Sequence, residues 1–429
     1  MNHSDEDINK IWHPFTSLVG VQDPIHIVKA EGVYLHTEDG RKILDAVSSW
    51  WVNIHGHGNK VIAEAIYKQA LLLEHVIFAG FTHKPAITLS KNILSILPEN
   101  QSKVFFSDDG STAVEVGLKM ALQFWHNKGI KRNKIIAIDG AYHGDTFGAM
   151  SVSGPSAFNA PFSSFLFDVD FIDFPSGHND EEVIRQFEKL IKGENIAAFI
   201  FEPLVQGAGG MRMYSNKTLD ILISHAKSKN IICIADEVMT GFGRTGKLFA
   251  SDYLQNKPDI FCLSKGITGG FLPLGVTTCS QEIVEAFLSD DISRTFFHGH
   301  SYTANPIACA AANASFKLLT SAECQANIVR ITSKQIEFVT KTKNHPFVSD
   351  CRSLGTIVAV ELKASETSYF SDLRNKIYPF FIEQDILLRP LGNVIYIMPP
   401  YIITNSELSF VHRAIEDFLN QLTEENNQS

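Results

Sequence analysis

The chain has 429 residues, a formal net charge of −10, 45% hydrophobic and 20% charged residues, and a mean hydropathy of +0.01. That length and apolar content allow a large core and more than one domain, while an acidic balance without a basic face argues against nucleic acid as a partner. No run approaches the roughly 18 apolar residues of a membrane span, and the opening MNHSDEDINKIWHP lacks the basic-then-apolar layout of a secretion signal, so a cytoplasmic chain with no membrane contact is expected.

In chain order, GVYLHTEDGRKILDA places alternating apolar residues on either side of Asp39 and Gly40, which predicts a hairpin. VIAEAIYKQALLLEHV then carries apolar residues at helical spacing. From about residue 103 to 280, the short β-prone runs KVFF, KIIAI, AAFIF, IICIA, DIFCL and GVTTC alternate with amphipathic helical patterns. That rhythm predicts an α/β fold, a mostly parallel sheet with helices on both faces.

The last third opens on the helical NPIACAAANASFKLL and contains the strand-like TIVAVEL and NVIYIM, reading as a smaller α+β domain. The expected parts are an N-terminal segment (1–58), a large domain (59–315) and a C-terminal small domain (316–429). The tail TEENNQS reads as disordered. Six scattered cysteines without a C-x-x-C pair suggest neither a disulfide framework nor a zinc site.

In open α/β sheets ligands gather at the carboxyl ends of the strands, so the residues just after each apolar run carry the functional argument. After KVFF, Gly110 and Ser111 stand at a helix start, either a phosphate cradle or an ordinary cap. After KIIAI comes AYHGDTFGAMSVSG, whose Tyr142 is either a ring partner or a core tyrosine. Asp236 closes IICIA, a costly place for a carboxylate without a partner, and Lys265 follows DIFCL, where partial desolvation would make its amine a nucleophile able to form Schiff bases. A phosphate cradle, an acid for a pyridine nitrogen and a lysine, in that order on one sheet, are what pyridoxal phosphate requires.

ADEVMTGFGRTG, SKGITGG and AYHGDTFGA resemble the class III, fold type I, pyridoxal-phosphate aminotransferases, and the likeness runs from Trp12 to about residue 420. IWHPFTS, SSWWVNIHGH, EPLVQGAGGMRMY and RPLGNVIYIMPPY are most similar to the members of that family that aminate 8-amino-7-oxononanoate to 7,8-diaminononanoate for biotin synthesis, with S-adenosylmethionine as amino donor. The resemblance implies a large domain with a seven-stranded sheet between helices and a small domain built from both chain ends. It implies that Lys265 carries the cofactor and shuttles a proton, that Asp236 pairs with the pyridinium nitrogen, and that Gly110 and Ser111 hold the phosphate. Tyr142 would stack on the ring or stand near the substrate.

Ser301, in FFHGHSYTANP, would reach the phosphate from a partner subunit, which implies an obligate homodimer, and Gly299 and His300 would line the pocket. Arg389 would grip the substrate carboxylate, Trp51 would wall the pocket, and Asp145 and Arg244 would support its polar edge. Trp50 could equally be core. The histidine pairs His55/His57 and His298/His300 lack a third ligand, so no metal is expected.

Two positions depart from the family pattern. Phe15 replaces the usual tyrosine of HPYTS and removes a hydroxyl near the substrate amine, which brings L-lysine into view as an alternative donor. Asp109 sets a negative charge beside the proposed phosphate site, unfavourable unless its carboxylate points away or accepts backbone N–H groups. The rival readings are an ω-aminotransferase acting on ornithine or 4-aminobutyrate, another Schiff-base enzyme such as a decarboxylase or racemase, and a non-catalytic protein of the same fold.

Overall fold

The computed structural model describes residues 3–19, 23–364 and 373–428. Its centre is a seven-stranded sheet whose strands we number in chain order: β1 (Gln101–Ser107), β2 (Lys134–Ile138), β3 (Asp170–Ile172), β4 (Ile196–Phe201), β5 (Ile232–Asp236), β6 (Ile260–Leu263) and β7 (Gly275–Ser280). The spatial order is β1-β7-β6-β5-β4-β2-β3. Strands β6, β5, β4, β2 and β3 run parallel, and β7 is antiparallel to both of its neighbours.

Alternation along these strands builds two cores. Phe199 and Phe201 of β4, Cys233 and Ala235 of β5, and Phe261 and Leu263 of β6 enter one apolar layer. Ala198, Ile200, Ile232, Ile234, Ile260 and Cys262 enter the other, which also contains the buried face of helix Gly110–Asn127. That helix lies close on the sheet at Gly117, where an added Cβ would come within 3.0 Å of Cys262 Sγ.

Six of the seven strands fall on the runs that the sequence marks; β3, three residues at the sheet edge, has no such run. In the last third, Ile357–Leu362 and Val394–Ile397 are strands as expected. They are joined by Val348–Leu354, whose polar VSDCRSL gives little apolar signal.

The N-terminal hairpin forms by pairing of Tyr34–Thr37 with Lys42–Asp45, and Gly40 takes φ +88° in its loop. Lys42–Asp45 also pairs in parallel with Ile386–Leu387, so the first and last parts of the chain share one sheet.

The tail expected to be disordered is helical instead: Asn405–Gln428 forms one helix, and Ser429 lies outside the described residues. Leu408, Val411, Ile415, Phe418 and Leu419 are buried along it. Once such an anchored helix is nucleated, each further polar residue adds a backbone bond at little cost. Among the described residues no helix is long and apolar enough to cross a membrane.

Candidate active site

Residues at the carboxyl ends of β1, β2, β4, β5 and β6 converge on one cavity of about 470 Å³. Its lining includes Gly110, Ser111, Tyr142, Asp236, Lys265 and Trp51, six of the residues singled out in the sequence.

The lysine leaves β6 through an unusual backbone. Lys265 has φ +48°, a left-handed conformation that a non-glycine residue holds only when its surroundings impose it. Ser264 Oγ donates to the Leu274 carbonyl at 2.8 Å, and Thr268 Oγ1 to the Leu272 carbonyl at 2.6 Å, which ties down the turn. The space beside the following glycines is taken by protein: an added Cβ on Gly269 would approach Ile62 Cδ1 at 2.9 Å, and one on Gly270 would meet Asn53 Oδ1 at 2.3 Å.

The side chain of Lys265 lines the cavity while protein desolvates its amine. Burial pulls the amine down to about 8, opposed by the negative charges of Asp236 and Glu202 and assisted by Arg244. A larger fraction of the amine is therefore neutral near physiological pH than for a free lysine. The Trp51 ring lies across it, with Nζ 4.5 Å from the ring centroid.

Asp236 is buried and partnered. Its Oδ2 stands 2.7 Å from His143 Nδ1, and its Oδ1 accepts the Val238 N–H at 3.1 Å. His143 Nε2 is buried and has no hydrogen-bond partner among the described residues. The His143 N–H donates to Ser153 Oγ at 2.9 Å, which fixes the segment.

Glu202 follows β4 and lines the same cavity. It accepts the N–H of Tyr142 at 2.9 Å and of Gly207 at 2.8 Å, and burial raises its carboxyl to about 7. Burial, reinforced by the Asp145 carboxylate, likewise raises the Tyr142 phenol above its ordinary range. Neither His143 nor Glu202 was singled out in the sequence. Glu202 follows the run AAFIF and so obeys the same end-of-strand rule that finds Asp236.

At the helix start, Asp109 closes a capping box with Thr112, accepting the Thr112 N–H at 2.9 Å. Its charge is thus spent on a backbone donor. The Ala113 N–H goes to the Asp109 carbonyl, leaving the N–H groups of Gly110 and Ser111 beside the cavity without a partner among the described residues. Gly144 (φ +132°) passes so close that its Cβ would lie 2.1 Å from Ser111 Oγ, and the Asp145 N–H donates to that oxygen at 3.1 Å.

Trp50 and Trp51 sit in a turn, Ser48–Trp51, in which all four residues have positive φ (52°, 44°, 69° and 77°). Left-handed backbone costs an L-residue roughly 1–2 kcal/mol. The turn sends the two rings apart. Trp51 is 5% exposed and turned to the lysine, whereas Trp50 is 43% exposed rather than core. Trp50 meets Phe15 edge-on at 5.6 Å and carries the Arg389 guanidinium 5.2 Å from its centroid.

Phe15 and Arg389 thus form a second cluster outside the cavity lining, joined to it through the adjacent tryptophans. Arg244 lies beneath, fully buried, its guanidinium donating to the Pro399 and Trp51 carbonyls at 2.8 and 3.0 Å. Gly299 and Ser301 are exposed and outside the lining; His300 Nδ1 is 3.4 Å from Asp108 Oδ2, which does border the cavity. His55 bonds the Ser315 carbonyl at 3.0 Å and His57 the Asp45 carboxylate at 2.9 Å, so both serve packing.

The model of the aminotransferase class-III family matches residues 18–419. The chain belongs to the class III aminotransferases. This aminotransferase is 48% identical to the adenosylmethionine-8-amino-7-oxononanoate aminotransferase of Synechococcus elongatus, over 96% of its own length and 99% of that protein's. It is 37% identical to the Staphylococcus aureus protein of the same name, over 96% and 97%.

Among solved structures it resembles the adenosylmethionine-8-amino-7-oxononanoate aminotransferase of Methanocaldococcus jannaschii, with 35% identity and a TM-score of 0.92 over 98% of both chains. A PLP-bound amine transaminase from an uncultivated Pseudomonas species shares 30% identity with a TM-score of 0.89, over 95% of this chain and 97% of that one. The chain has the fold type I architecture of this family.

Proposed function

We propose that this class III aminotransferase moves an amino group from S-adenosylmethionine to C7 of 8-amino-7-oxononanoate, yielding 7,8-diaminononanoate for biotin synthesis, with pyridoxal phosphate as cofactor. The observation that carries the proposal is the meeting of a desolvated amine, a buried carboxylate and a helix N-terminus around one cavity. The names of the full-length relatives support the choice of substrates.

The residues present fit the cofactor. The N–H groups of Gly110 and Ser111 suit a phosphate, and the Asp236 carboxylate suits a protonated ring nitrogen. His143 Nε2, on this wall, is a buried polar atom with no partner among the described residues. Pyridoxal phosphate, when bound, supplies an aldehyde to carry the amino group and a ring that withdraws electrons.

The remaining work belongs to the protein. Lys265 Nζ would hold the cofactor and, once its amine is freed, would take the proton from the donor Cα and, in the second half of the reaction, deliver one to C7 of the acceptor. His143 orients Asp236, and Glu202 fixes the backbone of Tyr142, which lines the cavity where the cofactor would sit. Trp51 walls the pocket and excludes water from the amine. Arg389, held over Trp50, grips the substrate carboxylate. Asp145 and Arg244 support the polar edge from behind.

Gly299, His300 and Ser301 belong to an exposed segment beside the large exposed side chains of Phe297 and Tyr302, and we assign them to the site of a second subunit in a homodimer. Phe15 favours a second reading for the donor alone, with L-lysine in place of S-adenosylmethionine, because it offers a ring and no hydroxyl. Borohydride reduction of the holoprotein followed by peptide mapping tests the reading. A pyridoxyl group on Lys265 is expected; attachment elsewhere, or none, contradicts it.

A further inference from the structure

The left-handed turn Ser48–Trp51 needs something to hold it, since four consecutive L-residues with positive φ do not persist unaided. Three bonds tie it outward: Ser48 Oγ to the Met398 carbonyl at 2.8 Å, Trp51 Nε1 to the Tyr396 hydroxyl at 3.0 Å, and Arg244 to the Trp51 carbonyl. From within the N-terminal segment, the Trp51 N–H donates to the Val47 carbonyl at 2.9 Å, and one carboxylate adds side-chain bonds. Asp45, wholly buried, accepts the Val47 N–H at 3.1 Å on Oδ1 and the Ser49 hydroxyl at 2.7 Å on Oδ2, which also lies 2.9 Å from His57 Nε2.

We propose that Asp45 is a positioning residue for the chemistry at Lys265, its carboxylate locking the turn so that the Trp51 ring stays over the amine. It touches neither the cavity nor the lysine and acts through Trp51. The inference rests on the reading of Lys265 as the reactive amine. A buried carboxylate suits this role because its acceptor bonds are strong and its removal strands the donors it satisfies. Asp45 also anchors the turn to the hairpin strand Lys42–Asp45, which pairs with both Tyr34–Thr37 and Ile386–Leu387, so Trp51 is registered against that sheet.

The test follows the Lys265 amine in the full-length apoprotein, by pulse acetylation across pH read on the Lys265 peptide by mass spectrometry. The wild-type midpoint is expected at about 8. Trp51→Ala admits water to the amine and is expected to raise the midpoint by about one pH unit. The ring's attraction for the cation acts the other way, but burial is the largest cause of the depression.

Asp45→Ala is expected to raise the midpoint in the same direction, and the double variant no further than Trp51→Ala alone. The charged groups facing the amine, Asp236, Glu202 and Arg244, are unchanged in all of these variants, so loosening remote from the turn would leave the midpoint in place. If Asp45→Ala fails to fold by circular dichroism, Ser49→Ala removes one of the same bonds and is expected to give a smaller rise. A folded Asp45→Ala, or Ser49→Ala in its place, with the wild-type midpoint overturns the proposal, as does a shift that adds fully to that of Trp51→Ala. Peptide mapping of the reduced holoprotein judges the role of Lys265 separately, so the two readings fail by different results.

Discussion

His143 Nδ1 stands 2.7 Å from Asp236 Oδ2, with both side chains buried at the carboxyl edge of the sheet. The bond explains how a carboxylate at the end of a fully buried strand is tolerated, and it aims that carboxylate. His143→Ala leaves Asp236, among the described residues, with the Val238 N–H. An uncompensated buried group of this kind costs about 1–3 kcal/mol, so cofactor affinity is expected to fall roughly 5- to 150-fold. Equilibrium dialysis of pyridoxal phosphate checks it, and wild-type affinity in a folded variant would contradict the assigned role.

Glu202 makes a prediction about pH. Burial raises its carboxyl from 4.5 to about 7, so the folded chain keeps a proton between those values that the unfolded chain has lost. The contribution to stability is present below pH 4.5 and declines as pH rises through about 7. Glu237, buried and also raised to about 7, slopes the same way. Glu202→Gln has no proton to lose and is expected to flatten the fall in apoprotein Tm between pH 5 and 7 in part. An unchanged slope would mean that the carboxyl is ionised in the fold.

Phe15 stands at the rim against Trp50 and Phe158, at 5.6 and 5.8 Å. Phe15→Tyr restores a hydroxyl there, worth about 0.5–1.5 kcal/mol when it finds a partner. We expect a change of roughly 2- to 12-fold in kcat/KM for S-adenosylmethionine, with the keto-acid half-reaction little altered. Half-reactions followed separately by the cofactor's visible absorption decide it; equal changes in both halves would remove Phe15 from donor recognition.

Much of this arrangement was legible in the sequence, because buried parallel strands read as apolar runs and the residue after each run falls at the ligand edge. Lys265, Asp236, Gly110 and Ser111 were found by that rule. Glu202 obeys it too, but its stretch EPLVQGAGGMRMY carries the family resemblance as a whole and gives the carboxylate no signal of its own. His143 sits between two residues that drew attention, and its bond to Asp236 spans 93 positions that only the fold brings together. Strand β3 is three residues long at a sheet edge, too short for a period to register.

The left-handed turn could not be foreseen from SSWW, because no local preference favours serine or tryptophan with positive φ; the nearby Asp45 carboxylate and tertiary bonds to Met398, Tyr396 and Arg244 impose it. The same holds for Arg244. The sequence expects it at the pocket edge, and the fold spends its guanidinium on two backbone carbonyls behind Trp51. The polar tail failed as a signal of disorder for the opposite reason, being carried by the buried face of the helix that precedes it.

The most direct measurement is product formation: purified holoprotein, 8-amino-7-oxononanoate, and S-adenosylmethionine or L-lysine in separate reactions, with the diamine detected by mass spectrometry. The account predicts 7,8-diaminononanoate with S-adenosylmethionine, abolished by Lys265→Ala. No diamine with either donor, from protein that binds pyridoxal phosphate, would contradict it.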